Sequence, residues 1–267
     1  MERGKGRSSV DWVQRIITAL IAIPIVCILI LSSRAATWTG TNIAIIVAYY
    51  EFSSLIGYSL SLNYILLPML TFPDFADPVR FLLVVANLIS PIWSQGPRDG
   101  FRRGLLSTFF VCFFAKPLTY ALDLRASGSH GPQLVLMWIL VSFASDAGAL
   151  VIGSNFGRTP CCPAISPKKT WEGVAGSVAI GTVTSILLGA LHIPGTPNVD
   201  FHDAAALGFL TSSLGMIGDL IESGFKRHVD VKDASNLLPG HGGLLDRLDA
   251  LAASVPAWYF YCQFRSL

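Results

Sequence analysis

Charge is scarce in this sequence. Only 13% of the 267 residues are Asp, Glu, Lys or Arg, while 52% are apolar and the mean hydropathy is +0.56; an ordinary soluble domain carries roughly 25% charged residues. So few charges cannot coat a water-exposed particle of this size, and lipid must be the solvent for most of its surface. The net charge of only +2, with no aromatic residues interleaved among basic runs, excludes a nucleic-acid surface. Cysteine chemistry is equally thin. Cys27, Cys112, Cys161, Cys162 and Cys262 are odd in number, and the adjacent pair lacks the spacing of a zinc knuckle or redox motif, so all five read as packing residues. Internal repeats and low-complexity tracts are absent.

What the sequence has is long apolar runs. About 20 apolar residues cross the hydrocarbon core as a helix, because a helix satisfies its own backbone polar groups in lipid. Nine spans are expected, at 16–33, 35–51, 53–71, 79–95, 104–122, 133–152, 173–193, 203–220 and 250–265. The fold class is therefore all-α, a polytopic integral membrane protein forming a single transmembrane domain over 1–267. Residues 1–130 supply the N-terminal helices, and residues 131–267 the helices and inner-face loops that carry the motifs. The first run is read as a retained span rather than a cleaved signal peptide, with Pro24 kinking it.

Short cytoplasmic loops hold an excess of Lys and Arg. With the N-terminus inside, fourteen of the nineteen basic residues fall on the inner side, Arg34, Arg80, Arg125 and Arg265 fall outside, and Lys116 lies within a span. The expected inner face is cytosolic, or stromal or matrix-facing in an organelle.

Under this topology the two longest polar interruptions, 153–172 and 219–249, share the inner face. The second holds ten of the chain's charges. On a helix, Asp219, Ser223, Lys226 and Asp230 would project within about 60° of one another. That face suits a hard divalent cation and a polyphosphate, although a plain salt-bridge face would have the same spacing. In Pro239-Gly240-His241-Gly242-Gly243, glycine lets backbone N–H groups approach an anion, helped by the positive end of a following helix. Asp246 and Asp249 are three apart on that helix. Converging carboxylates and cations of this kind fit metal-assisted phosphoryl or nucleotidyl transfer. Upstream, Asp146 lies in an apolar span near Ser145 and Gly148. Facing lipid it would cost ~2.5–3.5 kcal/mol, so it should face a wet cavity or a structural hydrogen-bond partner. Beyond it, Lys168 and Lys169 stand beside Ser and Thr hydroxyls that suit phosphate, and would equally serve as topology charges.

Residues 223–249, SGFKRHVDVKDASNLLPGHGGLLDRLD, resemble the C-terminal signature of the phosphatidate cytidylyltransferases, or CDP-diacylglycerol synthases. The Ser-x-x-Lys-Arg, Lys-Asp, Pro-x-His-Gly-Gly and Asp-Arg-x-Asp elements are all present at the family spacing. The stretch from Asp146 through SPKKTWEG resembles a second conserved region, and Glu51-Phe52 a third feature. Leu150 stands where an aromatic is usual, and Thr159-Pro160-Cys161-Cys162 replaces a segment that often carries another basic residue.

The resemblance implies condensation of CTP with phosphatidic acid to CDP-diacylglycerol and pyrophosphate, with Mg²⁺, a second monovalent cation such as K⁺, and a homodimer. It implies catalytic roles for Asp219, Lys226, Asp246 and Arg247, with Asp219, Asp246 and Asp249 on metal. Ser223, Arg227, His241, Gly242, Gly243, Lys168, Lys169 and Asp146 would contact substrate. The rival readings are a CTP-dependent kinase of a polyprenol-type lipid, and a membrane transporter in which Asp146 marks an ion pathway.

Overall fold

A computed structural model describes residues 7–57, 63–72, 77–191, 199–231, 234–235, 237 and 242–266. The elements in order are α1 (Arg7–Ser32), α2 (Arg34–Leu55), α3 (Asn63–Leu70), α4 (Asp77–Gln95), α5 (Pro97–Phe110), α6 (Lys116–Ala126), α7 (Gly131–Phe156), β1 (Pro160–Cys162), β2 (Ser166–Thr170), α8 (Trp171–Ala190), α9 (Phe201–His228) and α10 (Leu245–Arg265). The protein is an all-α, multi-pass membrane protein. Among the described residues four helices are long and apolar enough to cross a bilayer: Pro97–Ala126, Gly131–Phe156, Trp171–Ala190 and Phe201–His228. These coincide with four of the nine expected spans. Apolar side chains lie exposed along their flanks and along α1 and α4, including Leu20, Ile28, Phe81, Leu150, Leu187 and Phe209, as a lipid-facing surface requires.

The expected single span at 53–71 is not one helix. Helix α2 ends beyond Leu55, where Gly57 adopts φ +65° and its N–H bonds back to the Ser54 carbonyl, a left-handed stop that glycine adopts without steric cost. Helix α3 then covers only eight residues, too short to cross. The long rod 97–126 contains a π-helical turn at Val111–Ala115, which ends two residues before Pro117. Proline has no N–H and its ring crowds the carbonyl four residues earlier, so the wider turn absorbs the misfit without breaking the rod.

Two buried clusters hold the elements. One joins α2, α3, the π turn and the start of α10 through Tyr49, Phe52, Leu67, Phe110, Phe114 and Leu245. The other joins α6, α7, α9 and α10 through Leu124, Leu134, Trp138, Leu207 and Trp258. Lipid supplies little hydrophobic drive between helices, so small residues and hydrogen bonds do more of the work. At the α7–α8 crossing a Cβ on Gly148 would lie 2.7 Å from the Gly176 carbonyl, and Ser145 and Ser177 share a 2.7 Å hydrogen bond. Trp138 Nε1 donates to Ser254 Oγ at 2.9 Å, tying α7 to α10. The loop between α7 and α8 forms a short antiparallel hairpin, β1–β2, in place of an irregular connection.

Candidate active site

The site is built where α9 and α10 come closest. A Cβ on Gly218 would lie 2.5 Å from the Asp249 carbonyl oxygen and 2.6 Å from Ala253 Cβ, so only glycine permits this approach. The contact brings the next residue of α9, Asp219, against the first turns of α10. Carboxylate oxygens of Asp219, Glu222 and Asp249 lie within 4.8 Å of one another. Glu222 and Asp249 are buried. Lys226 Nζ lies 2.5 Å from Glu222 Oε2, an ion pair at the edge of the cluster.

Cations border the three carboxylates. Lys169 Nζ contacts Asp219 at 2.7 Å, and Lys226 Nζ bridges Glu222 to Asp246, 2.9 Å from Asp246 Oδ1. Ser223 donates to Asp219 at 3.3 Å, the i,i+4 neighbour expected on that face. Asp230 leaves the face, because α9 ends at His228 and Asp230 takes a left-handed φ of 56°. Asp146 lies exposed on α7, with Asp219, Arg247 and Lys169 among its charged neighbours.

Asp246 is placed differently from Asp249. Its carboxylate accepts the Gly243 N–H at 2.8 Å and the Ala234 N–H at 3.2 Å, reaching back from the first turn of α10 as an acidic residue of a capping box does. The Gly243 N–H is thereby committed within the protein. Gly242 has φ +80°, and a Cβ there would meet Asp246 Oδ2 at 2.6 Å, so glycine is required on both counts. Asp246 lies outside the carboxylate trio and connects Lys226 to the glycine loop. His241 lies outside the described residues.

The hairpin separates Lys168 from Lys169. Consecutive strand residues point to opposite faces, so on β2 Lys169 turns in to Asp219 while Lys168 is exposed. Arg227 Nε donates to the Ile165 carbonyl at 3.2 Å, fastening α9 to the hairpin. Arg247 is exposed on the first turn of α10.

Two residues here escape the sequence reading as members of the site. Glu222 is signalled by its i,i+3 spacing from Asp219 and its i,i+4 spacing to Lys226, but its burial depends on α10. Glu51, on α2, accepts hydrogen bonds from the Leu245 N–H at 2.7 Å, the Leu244 N–H at 3.1 Å and the Ser235 hydroxyl. It is 2% exposed and satisfies backbone donors that the start of α10 would otherwise leave orphaned.

A sequence model of the cytidylyltransferase family matches residues 13–265. The chain belongs to the cytidylyltransferase family. Its relatives include the phosphatidate cytidylyltransferases of Haemophilus influenzae, 42% identical over 49% of this chain and 46% of that protein, and of Bacillus subtilis, 37% identical over 53% and 51%. The phosphatidate cytidylyltransferase of Aquifex aeolicus is 35% identical over 69% of this chain and 66% of its own. The chain thus spans about half the length of the curated relatives it matches. Within the matched family region, Asp219, Glu222, Lys226, Asp246 and Asp249 all converge at the α9–α10 contact.

Proposed function

We propose that this chain is a phosphatidate cytidylyltransferase, condensing CTP with phosphatidic acid to CDP-diacylglycerol and pyrophosphate. The observation that carries the reading is the trio Asp219, Glu222 and Asp249, with Lys169 and Lys226 against it, in a membrane protein of the cytidylyltransferase family. The names of its relatives support the substrate pair. An all-oxygen donor set of three converging carboxylates, two of them buried, fits a hard divalent cation such as Mg²⁺. Bound there, Mg²⁺ would supply neutralising charge for phosphate oxygens.

The remaining chemistry belongs to the chain's own side chains. A phosphate oxygen of phosphatidate attacks the α-phosphorus of CTP, and the bond to the β-phosphate oxygen breaks, releasing pyrophosphate with the electron pair. The nucleophile is already anionic, so no serine or cysteine need form a covalent intermediate. What the protein must supply is in-line placement and positive charge. Lys226, fixed between Glu222 and Asp246, presents its ammonium beside the cluster, and Lys169 does so from β2. Arg247 and Arg227 contact the triphosphate, Ser223 orients Asp219, and Asp146 lies near Asp219 to contact substrate. Lys168, exposed beside the start of α8, receives the phosphatidate head group.

In this reading the chain is one domain that crosses the membrane several times, with residues 131–267 carrying catalysis. The N-terminus and both polar loops face the cytosol, stroma or matrix, and the enzyme works as a homodimer. The test is incubation of purified protein in lipid with labelled CTP, phosphatidic acid and Mg²⁺. Labelled CDP-diacylglycerol is expected, and its absence with folded protein would overturn the proposal.

A further inference from the structure

A second concentration of positive charge lies far from the carboxylates. Helix α2 links the two places: Glu51, near its end, braces the start of α10, whereas Arg34 opens it. Seventeen residues separate them, about 26 Å at 1.5 Å per residue, close to the ~30 Å thickness of the hydrocarbon core. Around Arg34 the ends of four helices enclose a cavity of about 430 Å³. Arg34, Arg80 and Arg125 line it, with Asp123 as the one carboxylate among the described lining residues, and Trp38, Leu70 and Leu122 form much of its wall.

The arginines also hold the cavity together. Arg34 donates to the Ala126 carbonyl at 3.3 Å and Arg125 to the Ile30 carbonyl at 2.8 Å, tying α2 to α6 and α6 to α1. Trp38 Nε1 donates to the Thr71 carbonyl at 3.3 Å, closing the side formed by α3. For Arg34 and Arg125 these are the hydrogen bonds found among the described residues, and neither carries an ion pair there. A guanidinium has five N–H donors, so each keeps most of its capacity for something other than protein. Arg34 and Arg125 repel each other, and an anion between them would relieve that repulsion.

We propose that this cavity binds the phosphate head group of an anionic glycerophospholipid in the leaflet opposite the active site. The chemistry selects the ligand class. Arginine matches phosphate oxygens in a two-pronged geometry, three arginines against one carboxylate among the described lining residues favour net negative charge, and the Trp38, Leu70 and Leu122 wall accommodates the first methylenes of an acyl chain. A soluble phosphate would satisfy the arginines and leave that wall wet. The site is separate from catalysis, and the lipid held there supports the packing of α2, α3, α4 and α6.

The test is native mass spectrometry of the full-length protein, delipidated in detergent and titrated with dioleoylphosphatidylglycerol, dioleoylphosphatidylcholine or inorganic phosphate. One phosphatidylglycerol should bind about tenfold more tightly than phosphatidylcholine, in line with the worth of charge-assisted hydrogen bonds. The double variant Arg34→Gln with Arg125→Gln should lose that preference. Because those arginines also tie helices, Leu122→Trp serves as a second variant. It keeps every charge but fills the wall, and should weaken phosphatidylglycerol binding about tenfold while thermal unfolding stays near that of the parent. Equal binding of both lipids, or a phosphatidylglycerol affinity unaltered in Leu122→Trp, would overturn the proposal. So would inorganic phosphate occupying the site as tightly as the lipid.

Discussion

Asp246 and Asp249 stand three residues apart on one helix, yet they face different tasks. Asp249 points into the trio with Asp219 and Glu222, while Asp246 holds Lys226 and the Gly243 N–H. Asp219→Asn and Asp249→Asn should therefore lower turnover by at least about a hundredfold and raise the Mg²⁺ concentration needed for half-maximal rate. Asp246→Asn should lower turnover comparably with the Mg²⁺ requirement little changed. Rates measured across a Mg²⁺ series separate the two patterns, and a raised requirement in Asp246→Asn would place that residue on the metal. The lysines divide in the same way. Lys169→Ala removes the counter-charge of Asp219 and should lower kcat, whereas Lys168→Ala should mainly raise the KM for phosphatidate. Kinetics with each substrate varied in turn decide this. A Lys168→Ala enzyme with a raised CTP KM and an unchanged phosphatidate KM would reverse the assignment.

Between elements, the bond from Glu51 to the start of α10 is the contact on which the site's alignment most depends. Removing it leaves one buried and one half-buried backbone N–H group and a hydroxyl without their acceptor. Glu51→Ala should cost at least about 3 kcal/mol and reduce activity, while Glu51→Gln, which keeps one carbonyl acceptor, should recover part of both. Unfolding in mixed detergent micelles measures the first effect, and equal stability of all three proteins would show that Glu51 does not brace α10. Glu51 also illustrates what a linear sequence conceals. Its resemblance to a family feature could be read from two residues, but its partners lie more than 180 positions away. Apolar runs did reveal the four long helices, because hydrophobic length is a local property. The fragment at Asn63–Leu70 did not show itself, since its run is as apolar as a span; among the described residues the left-handed turn at Gly57 marks the break. The β1–β2 hairpin is too short for alternation to register, yet its pleat is what sends Lys168 and Lys169 to opposite faces. Asp219, Ser223 and Lys226 were readable from helical spacing. Glu222 joins them only because Gly218 lets α10 close over it.

For the molecule in its membrane, charge asymmetry and site geometry make a joint claim. Fourteen of nineteen basic residues fall on one side in the nine-span arrangement, and the structure ties the two polar loops together through Lys169 to Asp219 and Arg227 to the Ile165 carbonyl. Single cysteines at Ser166 and Ser235, in a background without native cysteines, should react with an impermeant maleimide from the same side of sealed vesicles. Labelling from opposite sides would contradict the topology. The central claim is that the chain transfers the cytidylyl group of CTP, rather than its terminal phosphate, to a lipid phosphate. The most direct measurement places ³²P at either the α or the γ position of CTP and follows label into lipid extracted after incubation with phosphatidic acid and Mg²⁺. Label from the α position should enter lipid while label from the γ position is released as pyrophosphate; γ label in lipid, with α label left in CDP, would identify a CTP-dependent lipid kinase and contradict the account.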